Sequence, residues 1–158
     1  MIGPRRIVCL TGEPTETLYA LGEQDRIVGI SGFTVRPAIA RKEKPKVSAF
    51  TSAKIGEILK LQPDFAIGFS DIQADIAGEL IRHGIEVWIS NHRSVEGILD
   101  YIRRLGAMVG ASGKADAYAE ALQRGLEEIE RKAADLPRRP MVYFEEWDEP
   151  AITGIRWV

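Results

Sequence analysis

The segment Ile58-Leu-Lys-Leu-Gln-Pro-Asp-Phe-Ala-Ile-Gly-Phe-Ser-Asp71 contains the end of a helix, a turn and a buried strand in immediate succession. Pro63 cannot continue the preceding helix because it lacks the backbone N–H that the helix requires. The short apolar run from Phe65 to Ile67 is typical of a strand covered on both faces, as in parallel sheets. Open α/β sheets bind ligands beyond the carboxyl ends of their strands. The segment therefore predicts both the fold class and the position of a site just after Ile67.

The same alternation of short apolar runs and amphipathic stretches continues on both sides of this segment. Strands are predicted at residues 7–10, 27–30, 65–67 and 86–89, and helices at 15–21, at 52–61 with Ser52 as cap, at 73–83 and, capped by Ser94, up to Met108. Residues 31–50 contain two prolines and a cluster of basic side chains. This composition is typical of a surface loop, with at most a short helix near residues 38–41. The order of the elements indicates an α/β fold with a largely parallel sheet.

The pattern changes after Gly110. Residues 113–136 contain no proline and predict one helix, about 35 Å long at 1.5 Å per residue. Two prolines end this helix, and the apolar run from Met141 to Phe144 predicts a new strand. We therefore expect an α/β lobe at residues 1–112, a long connecting helix at 113–136 and the beginning of a truncated second lobe at 137–158. The tail at residues 151–158 is expected to be either disordered or buried against another chain, and in the second case a homo-oligomer would form through the truncated second-lobe segment.

Composition excludes several classes of function. The 158 residues have a formal net charge of −2 with acids and bases interspersed. No basic surface is therefore predicted that could bind nucleic acid or an anionic membrane. Residues 1–6 lack the apolar core of a signal peptide. The protein is therefore expected to be cytoplasmic if this N-terminus is native, and periplasmic or at the cell surface if a leader was removed.

Reactive side chains are few. The single cysteine, Cys9, lies in an apolar run and is interpreted as a small buried hydrophobe. Two histidines, His83 and His92, are too few for a three-histidine zinc site, so no metal site is predicted; a loop surface position is favoured for His92 over ligand contact. No serine or cysteine lies in a nucleophile motif, and a non-catalytic protein is predicted.

Several short motifs carry a resemblance to a known family. They are Arg6-Ile-Val-Cys-Leu10, Thr15-Glu16 before Leu21-Gly22, Ile27-Val-Gly-Ile-Ser31, Leu61-Gln-Pro-Asp-Phe65, His83-Gly-Ile-Glu-Val87 and Gly154-Ile-Arg-Trp-Val158. With this order of elements, the chain resembles the periplasmic binding proteins of ABC importers for cobalamin and iron siderophores, in particular the cobalamin branch. The resemblance implies two lobes joined by one rigid helix. It also implies capture of a corrinoid, cobalamin first among them, in the cleft between the lobes for delivery to a membrane permease.

The resemblance also implies a set of ligand-binding residues. In the cobalamin branch, aromatic side chains from three loops contact the corrin ring, and their positions correspond here to Phe33, Phe50 and Phe69. Each of these could instead be an ordinary core phenylalanine. Polar candidates for the rim follow predicted strands, and they are Glu13, Ser70, Asp71, Gln73 and Asn91. Ser70 or Asp71 could alternatively cap the next helix.

Two further expectations concern the second lobe and the permease. Glu146 and Trp147 would face the cleft from the other side, unless they belong to a solvated acidic loop. The family commonly carries a permease-docking acid on the helix before the Leu-x-Pro-Asp motif. Gly56 stands at that position here, so the docking role is expected of the neighbouring Glu57.

Two alternatives remain open at this stage. An iron siderophore or haem could replace the corrinoid; it ranks lower because anionic chelates need basic groups and the predicted cleft residues are neutral or acidic. A small cytosolic α/β enzyme or regulatory domain would instead require a cluster of perturbed acids at the sheet edge.

Overall fold

Five parallel strands form the central sheet. The computed structural model describes residues 3–153, and for Glu146 and Trp147 it describes the backbone alone. The strands are β1 (Ile7–Cys9), β2 (Ile27–Ser31), β3 (Lys46–Ser48), β4 (Phe65–Phe69) and β5 (Glu86–Ser90), in the spatial order β3-β2-β1-β4-β5. Every neighbouring pair is parallel, so all carboxyl ends lie along one edge. The predicted α/β fold class is confirmed.

Helices cover both faces of this sheet. They are α1 (Gly12–Ala20), α2 (Ala40–Glu43), α3 (Ile55–Lys60), α4 (Ala74–Arg82), α5 (Val95–Met108) and α6 (Ser112–Ala134). Side chains alternate between faces along β1: Ile7 and Cys9 belong to the core cluster that includes α5, whereas Val8 and Leu10 belong to the cluster that includes α4. Because both sets are completely buried, β1 is a central strand with no solvated face.

Arg26 joins three distant parts of the lobe. Its guanidinium donates to the backbone carbonyl oxygens of Pro4 at 2.6 Å and Val109 at 2.9 Å, and it pairs with the Glu23 carboxylate at 2.7 Å. The residue is only 7% exposed. A buried guanidinium needs partners of this kind to offset its desolvation, and here they fix the start of the chain and the end of α5 against β2.

The long helix α6 packs against α5 through small residues. Ala115 and Ala119 are completely buried, and a Cβ atom built on Gly106 of α5 would lie 2.2 Å from the Cβ of Ala115. The two helix backbones therefore approach more closely than any side chain at position 106 would allow. Further along α6, Ile129 is 64% exposed.

Two local predictions are wrong. Residues 141–144 pair with none of the described residues; the strands of this region are β6 (Glu145–Asp148) and β7 (Ala151–Thr153), which form an antiparallel hairpin. Ser52 does not cap α3, which begins at Ile55 after Lys54. An apolar run forms a strand only where a neighbouring strand supplies hydrogen bonds. Of the tail at residues 151–158, residues 151–153 form β7, and residues 154–158 lie outside the described residues.

Candidate functional site

A large cavity opens at the carboxyl edge of the sheet, between the loops that follow the strands and the facing sides of α5 and α6. Its volume is about 840 Å³. Aromatic and aliphatic side chains form most of its lining, and they are Phe50, Phe69, Val95, Ile98, Tyr101, Ile102, Tyr118 and Leu122. The charged lining residues are Glu13, Glu16, Arg36 and Arg93, and the remaining ones are Thr17, His92 and Ser94. A cavity of this size and composition fits a large apolar ligand with a few polar groups.

Parallel topology explains why residues distant in sequence meet here. Phe69 is the last residue of β4, Phe50 follows β3, and Glu13 lies in the first turn of α1 just after β1. Tyr118 and Leu122 reach the cavity from α6, one turn apart on the same helix face. The site therefore combines strand exits with one wall supplied by the long helix.

An aromatic wall lines one side of the cavity. The ring of His92 lies between Phe69, at 4.9 Å between centroids, and Tyr101, at 5.0 Å. Tyr101 stacks on Trp88 behind it at 5.2 Å, and the guanidinium of Arg93 lies 5.0 Å from the centre of the Phe69 ring. Edge and face contacts of this kind hold the rings at fixed angles.

His92 is part of this wall rather than a loop surface residue, so the surface position favoured from the sequence is wrong. Burial lowers the pKa of His92 below its ordinary value, and the nearby Arg93 lowers it further against an opposing effect of Glu13. The Nδ1 atom is buried without a hydrogen-bond partner among the described residues. The imidazole is therefore neutral at pH 7 and contributes an aromatic face.

This lowered pKa predicts a pH dependence of stability. The folded protein binds a proton at His92 less readily than the unfolded chain, so protonation favours unfolding. The contribution of neutral His92 to the free energy of unfolding is complete above pH 6.5, the ordinary pKa of histidine. It is lost as the pH falls toward the lower pKa that His92 has in the folded state. We expect His92→Phe, which keeps an aromatic ring against Phe69 and Tyr101, to flatten the loss of stability in this pH window. Urea unfolding at a series of pH values measures this; an unchanged pH profile would contradict the assignment.

Two arginines give the cavity a basic component. Arg36 pairs with Glu16 at 3.1 Å, and Arg93 lies 4.0 Å from Asp71. A hydrogen bond from Ser70 is the main cause of the lowered pKa of Asp71, so this exposed carboxylate stays ionised beside Arg93. The expectation that the cleft residues are neutral or acidic is wrong, because acids and bases are balanced here.

Two of the predicted rim residues are structural. Gln73 is completely buried, and its side-chain amide bonds to the backbone of Leu10, Phe50 and Phe69. Ser70 is also completely buried, and its hydroxyl caps the 3₁₀ turn Asp71–Gln73 by accepting from the N–H of Ile72. The prediction of direct ligand contact is therefore wrong for both side chains, whereas the alternative of a capping role is confirmed for Ser70.

The other predicted residues lie in several places. Phe50, Phe69 and Glu13 line the cavity, whereas Phe33 is 69% exposed and does not. Phe33 lies two residues after the end of β2 and outside the cavity, so the three phenylalanines do not share one surface.

Further from the cavity, exposed Asn91 borders a smaller neighbouring pocket that also contains Trp88 and Asp100. Glu57 is exposed on α3, where it pairs with Lys60 at 2.8 Å, and the Lys60 bond lowers its pKa. The side chains of Glu146 and Trp147 lie outside the described residues.

The cavity also contains residues that the sequence reasoning missed. They are Glu16, Thr17, Arg36, Arg93, Val95, Ile98, Tyr101, Ile102, Tyr118 and Leu122. Tyr118 and Leu122 offered one signal, because their apolar spacing continues along α6 beyond the small residues that pack on α5. In the part of the chain that is described, no group of three His, Cys, Asp or Glu side chains could hold a metal ion, and no helix is long and apolar enough to cross a membrane.

An α/β lobe with an aromatic cavity at its sheet edge, extended by one long helix, is the architecture of a solute-binding protein. The sequence profile of the periplasmic binding protein family matches residues 7–157. The chain belongs to this family, a class of solute-binding proteins.

Individual relatives agree with this assignment. An uncharacterized ABC transporter substrate-binding lipoprotein of Bacillus subtilis (strain 168), YvrC, is 27% identical over 155 residues, covering 94% of this chain and 49% of that protein. The vitamin B12-binding protein of Vibrio vulnificus (strain CMCP6) is 26% identical, covering 96% of this chain and 56% of that protein. The crystal structure of the periplasmic vitamin B12 binding protein BtuF of Vibrio cholerae shares the fold, with a TM-score of 0.80 and 23% identity over 95% of this chain and 58% of that one. The chain thus spans about half the length of the curated relatives it matches.

Proposed function

We propose that this chain is the substrate-binding part of an ABC importer and that it captures a corrinoid, cobalamin in the first place. The observation that carries the proposal is the cavity of about 840 Å³ at the sheet edge, whose lining is largely aromatic and aliphatic. Transport places the protein outside the cytoplasm, in the periplasm or at the cell surface. A membrane permease would then be its macromolecular partner.

A corrin ring suits this cavity for physical reasons. It is a broad, flat and largely apolar macrocycle with amide groups at its edge. Phe50 offers apolar area from the loop after β3 and Phe69 from the end of β4, and Tyr118 offers more from α6. Burial of apolar area supplies most of the favourable free energy, and rim groups such as Arg36 and Glu16 can bond to the edge amides.

Docking to the permease is proposed to involve Glu57. Its carboxylate is exposed and ionised on α3, and Gly56 beside it leaves open space around the helix surface. Lys60 competes for this carboxylate at 2.8 Å, so docking would exchange one partially exposed ion pair for another.

The test is a titration of the chain with cyanocobalamin, followed by the absorption spectrum of the corrin and by calorimetry. We expect saturable heat and a change in the corrin bands on binding. An unchanged spectrum together with no heat of binding would reject the corrinoid assignment.

A second candidate ligand is an anionic iron chelate, such as a siderophore or haem. Arg36 and Arg93, both lining the cavity, favour it because a guanidinium binds carboxylate groups in a bidentate way. Competition decides between the two: haemin or a ferric siderophore that displaces cyanocobalamin, with an affinity that falls as salt rises, would favour the anionic chelate. Binding that is insensitive to salt would favour the neutral corrinoid.

A further inference from the structure

We propose that Gln73 is a positioning residue for the ligand cavity, because its buried side-chain amide connects the backbones of Phe50 and Phe69. As far as ligand affinity is concerned, this inference rests on the proposed function. Gln73 does not reach the ligand itself, since its side chain has no exposed surface.

The hydrogen bonds of the Gln73 amide join three separate segments. Its Oε1 atom accepts from the backbone N–H of Phe69 at 3.0 Å. Its Nε2 atom donates to the carbonyl oxygen of Phe50 at 2.9 Å and to that of Leu10 at 3.4 Å. These partners lie at the end of β4, after β3 and just after β1, so one side chain fixes the relative positions of three strand exits. Two of those exits carry cavity phenylalanines.

The space that this amide occupies exists only because residue 68 is glycine. A Cβ atom at Gly68 would lie 2.4 Å from the Oε1 atom of Gln73 and 2.7 Å from the Cδ1 atom of Ile89. Any larger residue at position 68 would displace the Gln73 amide from beneath Phe69. The sequence therefore couples a small residue within β4 to a long polar one five positions later.

The turn between Phe69 and Gln73 is strained. Ser70 has φ of 71° and ψ of 162°, a backbone conformation that is almost confined to glycine. Its N–H donates to the carbonyl oxygen of Ser90 at 2.8 Å, and its own carbonyl accepts from the N–H of Gln73 at 3.2 Å. This conformation folds the chain back so that the Gln73 side chain reaches the N–H of Phe69. Strain of this kind persists only where surrounding bonds hold it, and the Gln73 amide supplies one of them.

Gln73→Met tests the proposal, because methionine keeps the length of the side chain and removes its hydrogen bonds. Leu80→Ala, at a buried position of α4, is the matched control, because it weakens the core and removes none of the hydrogen bonds of the Gln73 amide. Native-state hydrogen exchange gives a readout that needs no ligand. We expect Gln73→Met to accelerate exchange of the Phe69 amide by about tenfold more than that of Ile67, and Leu80→Ala to accelerate both equally. Equal acceleration in both variants would overturn the positioning role.

A double-mutant cycle on cyanocobalamin affinity provides the second readout. If Gln73 acts through Phe50, Gln73→Met should weaken binding about tenfold in the wild-type background and much less in the Phe50→Ala background. Fully additive effects would overturn the link to the ligand. If the wild-type chain binds no cyanocobalamin, the proposed function fails while the exchange experiment still decides the positioning role.

A second variant, Gln73→Glu, tests the proposal if Gln73→Met does not fold. An ionised carboxylate facing the carbonyl oxygens of Phe50 and Leu10 would repel both, whereas a protonated one can donate to Phe50 and accept from Phe69. We therefore expect the protection of the Phe69 amide in Gln73→Glu, measured as its exchange rate relative to wild type at the same pH, to approach the wild-type value as the pH falls. The absence of this rescue would contradict the proposal.

Discussion

Gly106→Ala should destabilise the protein by about 1–3 kcal/mol, and Gly106→Val by more, although alanine in place of glycine normally stabilises a helix. The added Cβ atom would lie 2.2 Å from the Cβ of Ala115 and 3.3 Å from the carbonyl oxygen of Ala111. Neither neighbour can rotate away, since one is a completely buried methyl group and the other is backbone. The helices α5 and α6 would have to separate.

Gly125→Ala is the matched control for this prediction. Gly125 lies on α6, and a Cβ atom there meets nothing within 4 Å. The control should therefore stabilise the protein by about 0.5–1 kcal/mol, the ordinary gain of alanine over glycine in a helix. Urea unfolding followed by circular dichroism measures both variants. If Gly106→Ala stabilised the protein as much as Gly125→Ala, the close approach of α5 and α6 would be wrong.

Separation of these helices would also affect the site. Ile98 and Ile102 of α5 and Tyr118 and Leu122 of α6 line the same cavity, so the small residues between the helices set the distance across this wall. The long helix thus forms a wall of the site, which its sequence composition does not indicate.

The fold was largely predictable because most strands are short apolar runs between amphipathic stretches. β1, β2, β4 and β5 have this form and were predicted within two residues. β3 was missed because Val47 is its only apolar residue, between Lys46 and Ser48 in a basic loop. Conversely, residues 141–144 are more apolar than β3 but pair with none of the residues in the described range. In both segments, the presence or absence of a neighbouring strand determines whether a strand forms, and the periodicity of the sequence does not reveal which strands are neighbours.

The phenylalanines of the site, Phe50 and Phe69, were expected from the resemblance to the cobalamin branch. The residues themselves added that Phe69 and Glu13 follow predicted strands, whose carboxyl ends meet at one edge of a parallel sheet. Phe50 lacked this support because β3 before it was not predicted. The α5 and α6 residues were missed, since an apolar stripe on a helix looks the same whether it faces a core or a cavity. Gln73 was predicted at the rim of the site but is completely buried. The prediction failed because no local sequence pattern distinguishes a buried glutamine from an exposed one.

Truncation of the cavity phenylalanines should reduce ligand affinity most. We expect Phe69→Ala and Phe50→Ala each to weaken cyanocobalamin binding by about 2 kcal/mol, or about 30-fold, because each removes an aromatic side chain from the lining of the cavity. Phe33→Ala is the matched control: Phe33 also follows a strand of the same sheet, but it lies outside the cavity and is 69% exposed. The control should change the affinity less than twofold, well below the effect of truncating one buried contact.

Phe69 needs a second variant because it also supports the lobe. Its side chain is 8% exposed, it contacts His92, and Arg93 lies over its ring, so part of the effect of alanine could come from collapse of the wall. Phe69→Leu keeps most of the apolar volume and removes the flat face, and it should retain stability while losing about fivefold to tenfold in affinity. Calorimetric titration at a temperature where every variant is folded gives these values. An affinity loss in Phe33→Ala equal to that in Phe69→Ala would contradict binding in this cavity. It would indicate that the ligand binds near the loop after β2. Full affinity in Phe69→Leu would instead mean that apolar volume, and no aromatic face, holds the ligand.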